Sequence, residues 1–149
     1  MATVASPSHP AGSEASMTGP LRCVVVTPEK TVLDQRAEFI AIPLYDGELG
    51  VLPGRAPLVG RLGFGELRAR SGDKQRHLFI DGGFAQVRDD VVTILTSRAI
   101  PVAEIEAERA KDQLSKALSQ RATGEAALET RAREIDRARA LVRSARHAE

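Results

Sequence analysis

At Pro101 the chain changes its periodicity. Before it, short apolar runs are cut by turn residues. After it, apolar residues recur every three or four positions, and glycine vanishes except at Gly124. A period of two and a period of 3.6 bury their faces in different architectures, so the text demands a β unit followed by a helical one.

The β unit spans residues 21–100. "LRCVVVT" is a β-branched run, and "TVLDQRAEFIAIPL" follows the break Pro28-Glu29-Lys30. "GELRARSG" alternates Leu67 and Ala69 with charges. "QRHLFIDGGFAQVRDDVVTILTS" reads as three strands broken at Asp81-Gly82-Gly83 and at Asp89-Asp90. Aromatics make up 3% of the chain with no Trp, so Val, Ile and Leu must build the core, which favours strands. Turn signals every ten residues or so predict a sandwich or barrel. Without strand–helix alternation, a parallel α/β sheet is not expected.

The second unit spans residues 101–149. Its first helix is expected from Val102 to Arg121, with the stripe Ala103, Ala107, Ala110, Leu114, Ala117 and Leu118. Thr123-Gly124 is the break, with Gly124 as a left-handed C-cap. The second helix is expected from Glu125 to His147, with the stripe Leu128, Ala132, Ile135, Ala138, Val142 and Ala145. So short a turn makes the pair an antiparallel hairpin. Most stripe positions are Ala, and a buried methyl contributes only about 0.8 kcal/mol. The hairpin is therefore either a weakly docked switch or a permanently packed tail.

The other features mostly exclude. Residues 1–20 are rich in Ser, Ala, Pro and Gly and carry no Lys or Arg; they read as a disordered tail without signal peptide or basic presequence, and Met17 is an alternative start. No run approaches the ~20 apolar residues of a membrane span. A net charge of +1 and the shortage of stacking rings argue against nucleic acid. Cys23 has no disulfide partner and reads as a small buried hydrophobe. There is no phosphate-binding glycine motif, no nucleophile elbow, and His9, His77 and His147 are scattered, so neither catalytic residues nor a metal site is expected.

Charge concentrates in one place. Residues 131–146 hold six arginines against Glu134 and Asp136. This is either a solvated face, supported by a Glu129–Arg133 pair, or a face for an acidic segment or a nucleotide.

The stretch "DGELGVLPGRAPL" gathers glycines and prolines around exposed acids. It resembles the signature of the epsilon subunit of rotary ATP synthases. "DGGFAQVRDDVVTILTSRA" is similar to that family's later "SGGF…V…VTVLAD.A" segment, and the likeness runs from Leu21 to the end. It implies a β-sandwich of about ten strands followed by an α-helical hairpin. It also implies a non-catalytic central-stalk rotor subunit that joins the gamma subunit to the membrane c-ring and couples proton flow to ATP synthesis. Such a subunit lies at the membrane periphery, on the cytoplasmic face in a bacterium. In this likeness Asp46, Gly47 and Glu48 face the ring, while Gly50, Pro53, Gly54 and Pro57 shape a rigid turn at one end of the sandwich. Arg55 stands where the family usually has His.

The family's hairpin docks on the sandwich or extends to the alpha/beta catalytic head and blocks hydrolysis. Arg131, Arg133, Arg137 and Arg146, with Arg139 and Arg143, are the basic positions that would meet its acidic segments. Some members bind regulatory ATP through I/L-D-x-x-R-A and later arginines. Here Ile105, Glu106, Arg109 and Ala110 match with Glu for Asp, and Arg139 and Arg143 fall at the later positions. An ATP-sensing module and an unrelated adaptor with a helical tail remain the other readings.

Overall fold

A computed structural model describes residues 17–147, so most of the N-terminal tail lies outside the described residues. The elements are β1 (Leu21–Val26), β2 (Thr31–Ala37), β3 (Phe39–Leu44), β4 (Gly47–Val51), β5 (Leu58–Ser71), β6 (Lys74–Arg88), β7 (Val91–Leu95) and β8 (Ala99–Pro101). A 3-10 turn at Val102–Glu104 leads to α1 (Ala107–Ser119) and α2 (Glu125–His147). The strands follow the order β2-β1-β7-β6-β5-β3-β4, with β8 added to β6. β1 and β7 run parallel and the other pairs antiparallel. The sheet folds over on itself, so that β1 meets β3 and β2 meets β5 across the core of a β-sandwich.

Eight strands appear where the family likeness implies about ten. The reason is that β5, 14 residues, and β6, 15 residues, each run through both layers. β6 pairs with β8 through Leu78–Ile80 and with β7 through Phe84–Arg88. Between these stretches Gly82 and Gly83 take φ of 68° and 107°. The Asp81-Gly82-Gly83 break is thus a kink within one strand. A Cβ on Gly83 would stand 1.9 Å from the Leu95 carbonyl oxygen, so the crossing admits no side chain there. Asp89 and Asp90 form the expected turn, both left-handed, as a tight hairpin requires.

The core is Val, Ile and Leu, as the composition predicts: Leu21, Val25, Ile40, Ile42, Leu67, Ile80, Val92 and Ile94 are sealed from solvent. Cys23 is sealed with them, and burial pushes its thiol pKa up to about 12. Met17 packs against this core, and Ser71 Oγ donates to the Thr18 carbonyl and accepts from the Thr18 N–H.

The helical half departs from expectation at its joints. Residues 102–106 are a 3-10 turn and an extended step, not helix. α1 ends at Ser119, followed by an extended Gln120. Gly124 is left-handed at φ 92°, but it opens α2: its carbonyl accepts from the Leu128 N–H. The helices are antiparallel, since Ala110 near the start of α1 clusters with Ala140, Leu141 and Val142 near the end of α2. Leu118 and Leu128 at the hairpin tip are exposed, as are Ala103 and Ala132. The second half of α2 is buried over a wider arc than a single stripe. Ala140, Leu141 and Ser144 are covered as well as Ile135, Ala138, Val142 and Ala145, because α2 packs on both α1 and the sandwich.

Candidate functional site

The glycine–proline stretch is built from two turns, not one. Tyr45-Asp46 links β3 to β4, with Leu44 opposite Gly47 at φ 141°. β4 then runs five residues, about 17 Å, before the loop that contains Pro53, Gly54 and Pro57. Asp46 and Gly54 therefore lie at opposite ends of an edge strand. This corrects the expectation of a single rigid turn. Asp46, Gly47 and Glu48 are exposed, and Glu48 pairs with Arg68 on β5 across β3. Gly50 is not left-handed; its missing Cβ makes room for the Phe39 ring, which would otherwise be 2.9 Å away. Gly54, at φ 82°, donates its N–H to Asp90 Oδ1 at 2.8 Å. That bond ties the second loop to the β6–β7 turn.

One layer of the sandwich shows an apolar outer face. Val59, Phe84 and Leu95 are 73%, 58% and 54% exposed. Phe84 sits between Arg61 and Leu95 in register. Tyr45 is exposed too, with the Arg61 guanidinium 5.1 Å from its ring. Such a cluster on a sheet face is a contact surface by its chemistry. The strand alternation already turns Phe84 away from Ala85 and Val87, so a strict reading of the period would have found it.

The hairpin covers the outer face of the other layer. Phe79 of β6 is fully buried under Ala110, Ala140, Leu141 and Val142, and Phe64, Ile105 and Leu114 border it. Beside this patch Arg137 Nε donates to Asp81 Oδ1 at 2.8 Å, and the guanidinium lies 5.2 Å from the Phe64 ring centroid.

The arginines of α2 do not act as one set. Arg131 donates to the Leu118 and Gln120 carbonyls, both at 2.8 Å, and so ties α2 to the end of α1. Arg133, Arg137, Arg139 and Arg143, with Arg61, line a groove of about 710 Å³ between α2 and the sandwich. Arg133 makes no ion pair among the described residues, so the expected bond to Glu129 is not formed. Arg146 is exposed outside this groove. Ile105, Glu106, Arg109 and Ala110 line a separate pocket of about 260 Å³, together with Arg98 and Gln113. Arg139 and Arg143 are not in that pocket, so the structure does not gather the ATP-type residues into one site. The residues that sequence reasoning missed are Asp81, Asp90, Phe64 and Phe79. Each acts through a partner far along the chain, so no local pattern marks them.

Comparison with known proteins gives one consistent result. The family "ATP synthase, Delta/Epsilon chain, beta-sandwich domain" matches residues 20–102. The ATP synthase epsilon chain of Rhodopirellula baltica is 48% identical over 126 residues, 85% of this chain and 98% of its own length. That of Granulibacter bethesdensis is 39% identical, over 83% of this chain and 95% of its own. Among solved structures, a chain of the Euglena gracilis mitochondrial ATP synthase (OSCP/F1/c-ring) superposes with a TM-score of 0.74 at 27% identity, covering 88% of this chain and 84% of its own. A chain of the Tetrahymena thermophila mitochondrial ATP synthase shares the fold, with a TM-score of 0.69 at 17% identity. With a sandwich matched by the family profile and near full-length relatives of the same name, the chain belongs to the ATP synthase epsilon subunits.

Proposed function

We propose that this chain works as the central-stalk subunit that joins the gamma subunit to the c-ring, couples proton flow to ATP synthesis, and restrains ATP hydrolysis through its hairpin. As a member of its family it is an accessory subunit of ATP synthase and not a catalytic one. The observation that carries the reading is the division of its surface. One sandwich layer keeps Val59, Phe84 and Leu95 open, while the other is covered by a hairpin resting on a single fully buried ring. The open apolar face suits a lasting contact with the shaft, since burying it stabilises by about 25 cal/mol per Å². The exposed Asp46–Glu48 turn suits the polar loops of a ring. The arginines of α2 suit acidic segments of the catalytic head, which they reach only when the hairpin leaves the sandwich.

No helix among the described residues is long and apolar enough to cross a membrane. The bacterial relatives support the cytoplasmic face of a bacterial membrane as the location.

The test is hydrolysis by a catalytic head that lacks this subunit, as the purified chain is titrated back. Saturable inhibition at stoichiometric amounts supports the full reading. Binding without inhibition removes the restraint and leaves the coupling role. Absence of binding overturns the stalk contact. ATP sensing has one observation in its favour, the pocket formed by Ile105, Glu106, Arg109 and Ala110. Isothermal titration with no heat at millimolar ATP would end that reading.

A further inference from the structure

We propose that Asp81 and Arg137 form a latch that sets how readily the hairpin leaves the sandwich. For its effect on hydrolysis the latch rests on the stalk reading; for its effect on docking it does not.

Asp81 is held in place by its backbone. Its N–H donates to the Arg98 carbonyl at 3.1 Å, and its own carbonyl accepts from Ser97 Oγ at 3.1 Å. The kink at Gly82-Gly83 follows directly. These bonds fix the main chain from which the carboxylate projects, and its side chain is only 8% exposed. Arg137 reaches it from α2 with Nε, and the flat guanidinium also stacks on Phe64. A charge-assisted bond with a stacked guanidinium is directional, unlike the apolar contacts around it. Arg133, Arg139 and Arg143 line the same groove and make no ion pair among the described residues, so the pairing selects one arginine.

That selection fixes the seating of α2. A shift of one residue along the helix rotates a side chain by about 100° and takes the guanidinium off both Asp81 and Phe64. The surrounding apolar contacts, from Ala110, Ala140, Leu141 and Val142 with Ile105 and Leu114 at the border, are non-directional and fix the seating less sharply. Phe79 supplies the burial, and the ion pair supplies the register. When the hairpin leaves, the bond, the stacking and the Phe79 burial are lost together. Docking is therefore two-state, and its balance responds to either partner of the pair.

The test is hydrogen exchange of the full-length chain, comparing peptides of α2 with peptides of β1 and β7. Asp81→Asn and Arg137→Gln should each speed exchange in α2 by roughly tenfold and leave β1 and β7 unchanged. The double variant should go no further than the faster single, because both remove one interaction. Arg137→Lys, which keeps the charge and loses the stacking, should fall between. Unchanged α2 exchange in Arg137→Gln, or additive effects in the double variant, would overturn the latch. Should Asp81→Asn also loosen β1, Arg137→Gln decides alone, since its half-exposed helix position carries no strain into the sandwich. Adding the same variants to a head lacking the subunit separates the two ideas. Faster α2 exchange with unaltered hydrolysis keeps the latch and removes the regulatory reading, whereas altered hydrolysis with unaltered exchange overturns the latch.

Discussion

The sandwich and the hairpin bury apolar surface on the same chain, yet they are bonded in opposite ways. A strand shares its backbone hydrogen bonds with neighbours. β1, for example, is tied to β2 on one side and β7 on the other. Removing it breaks two ladders. A helix closes its hydrogen bonds within itself, so α1 and α2 can leave the sandwich with their backbone bonding intact. What they give up is side-chain contact: the Phe79 ring, the aliphatic side chains around it such as Leu141 and Val142, and one ion pair. A detachable element in a small protein is thus best made of helix, and a fixed platform of sheet. β8 belongs to the platform because it pairs with β6, so the joint between the two lies in residues 102–106.

The comparison can be broken hardest from the platform side. Gly83→Val should cost more than about 4 kcal/mol and abolish cooperative folding of both halves. Thermal unfolding would show it, because the new side chain meets the Leu95 carbonyl and φ is 107°. Phe79→Ala should cost about 3–5 kcal/mol, but the loss should appear in docking. The expected signature is fast exchange in α2 beside protected β1 and β7, since Phe79 faces the hairpin and not the inner core. Equal loosening of both regions would contradict the division.

Cys23 sharpens the comparison on the pH axis. Its thiol rises from 9.0 to about 12 by burial, so the folded state keeps the proton that the unfolded chain releases. Its stabilising effect is complete below pH 9 and is lost as pH climbs toward 12. Near pH 10.5 the native chain should have lost roughly 2 kcal/mol more than a Cys23→Val variant, measured by denaturant unfolding. Native protein should also resist alkylation at pH 8. The smallest effect is expected at Gly54→Val. Left-handed backbone should cost about 1–2 kcal/mol and loosen the loop held by Asp90, with the hairpin undisturbed.

The central features were legible because they are local. The change of period at Pro101, the β-branched runs and the Asp89-Asp90 turn each lie within a few residues. The second helix was read with its correct ends, Glu125 and His147. The candidate site was legible in part. Its motif carried the family, yet the glycine–proline stretch looked like one turn and is two, because β4 is hidden between glycines that are usually turn residues. The DGG sequence looked like a break and is a kink, because Leu95 lies against it from 12 residues further on.

Residue order alone settled where the β half gives way to the helical half, the aliphatic make-up of the core, and the family. Those properties depend on neighbours along the chain. Tertiary structure decided that Arg137, out of six similar arginines, holds Asp81, and that Phe79 is covered while Phe84 is bare. The physical reason is separation: Asp81 and Arg137 are 56 residues apart. Both phenylalanines sit in one strand of alternating pattern. Which outer face receives the hairpin depends on where the chain turns at residues 102–106, and no local preference of either phenylalanine encodes that path.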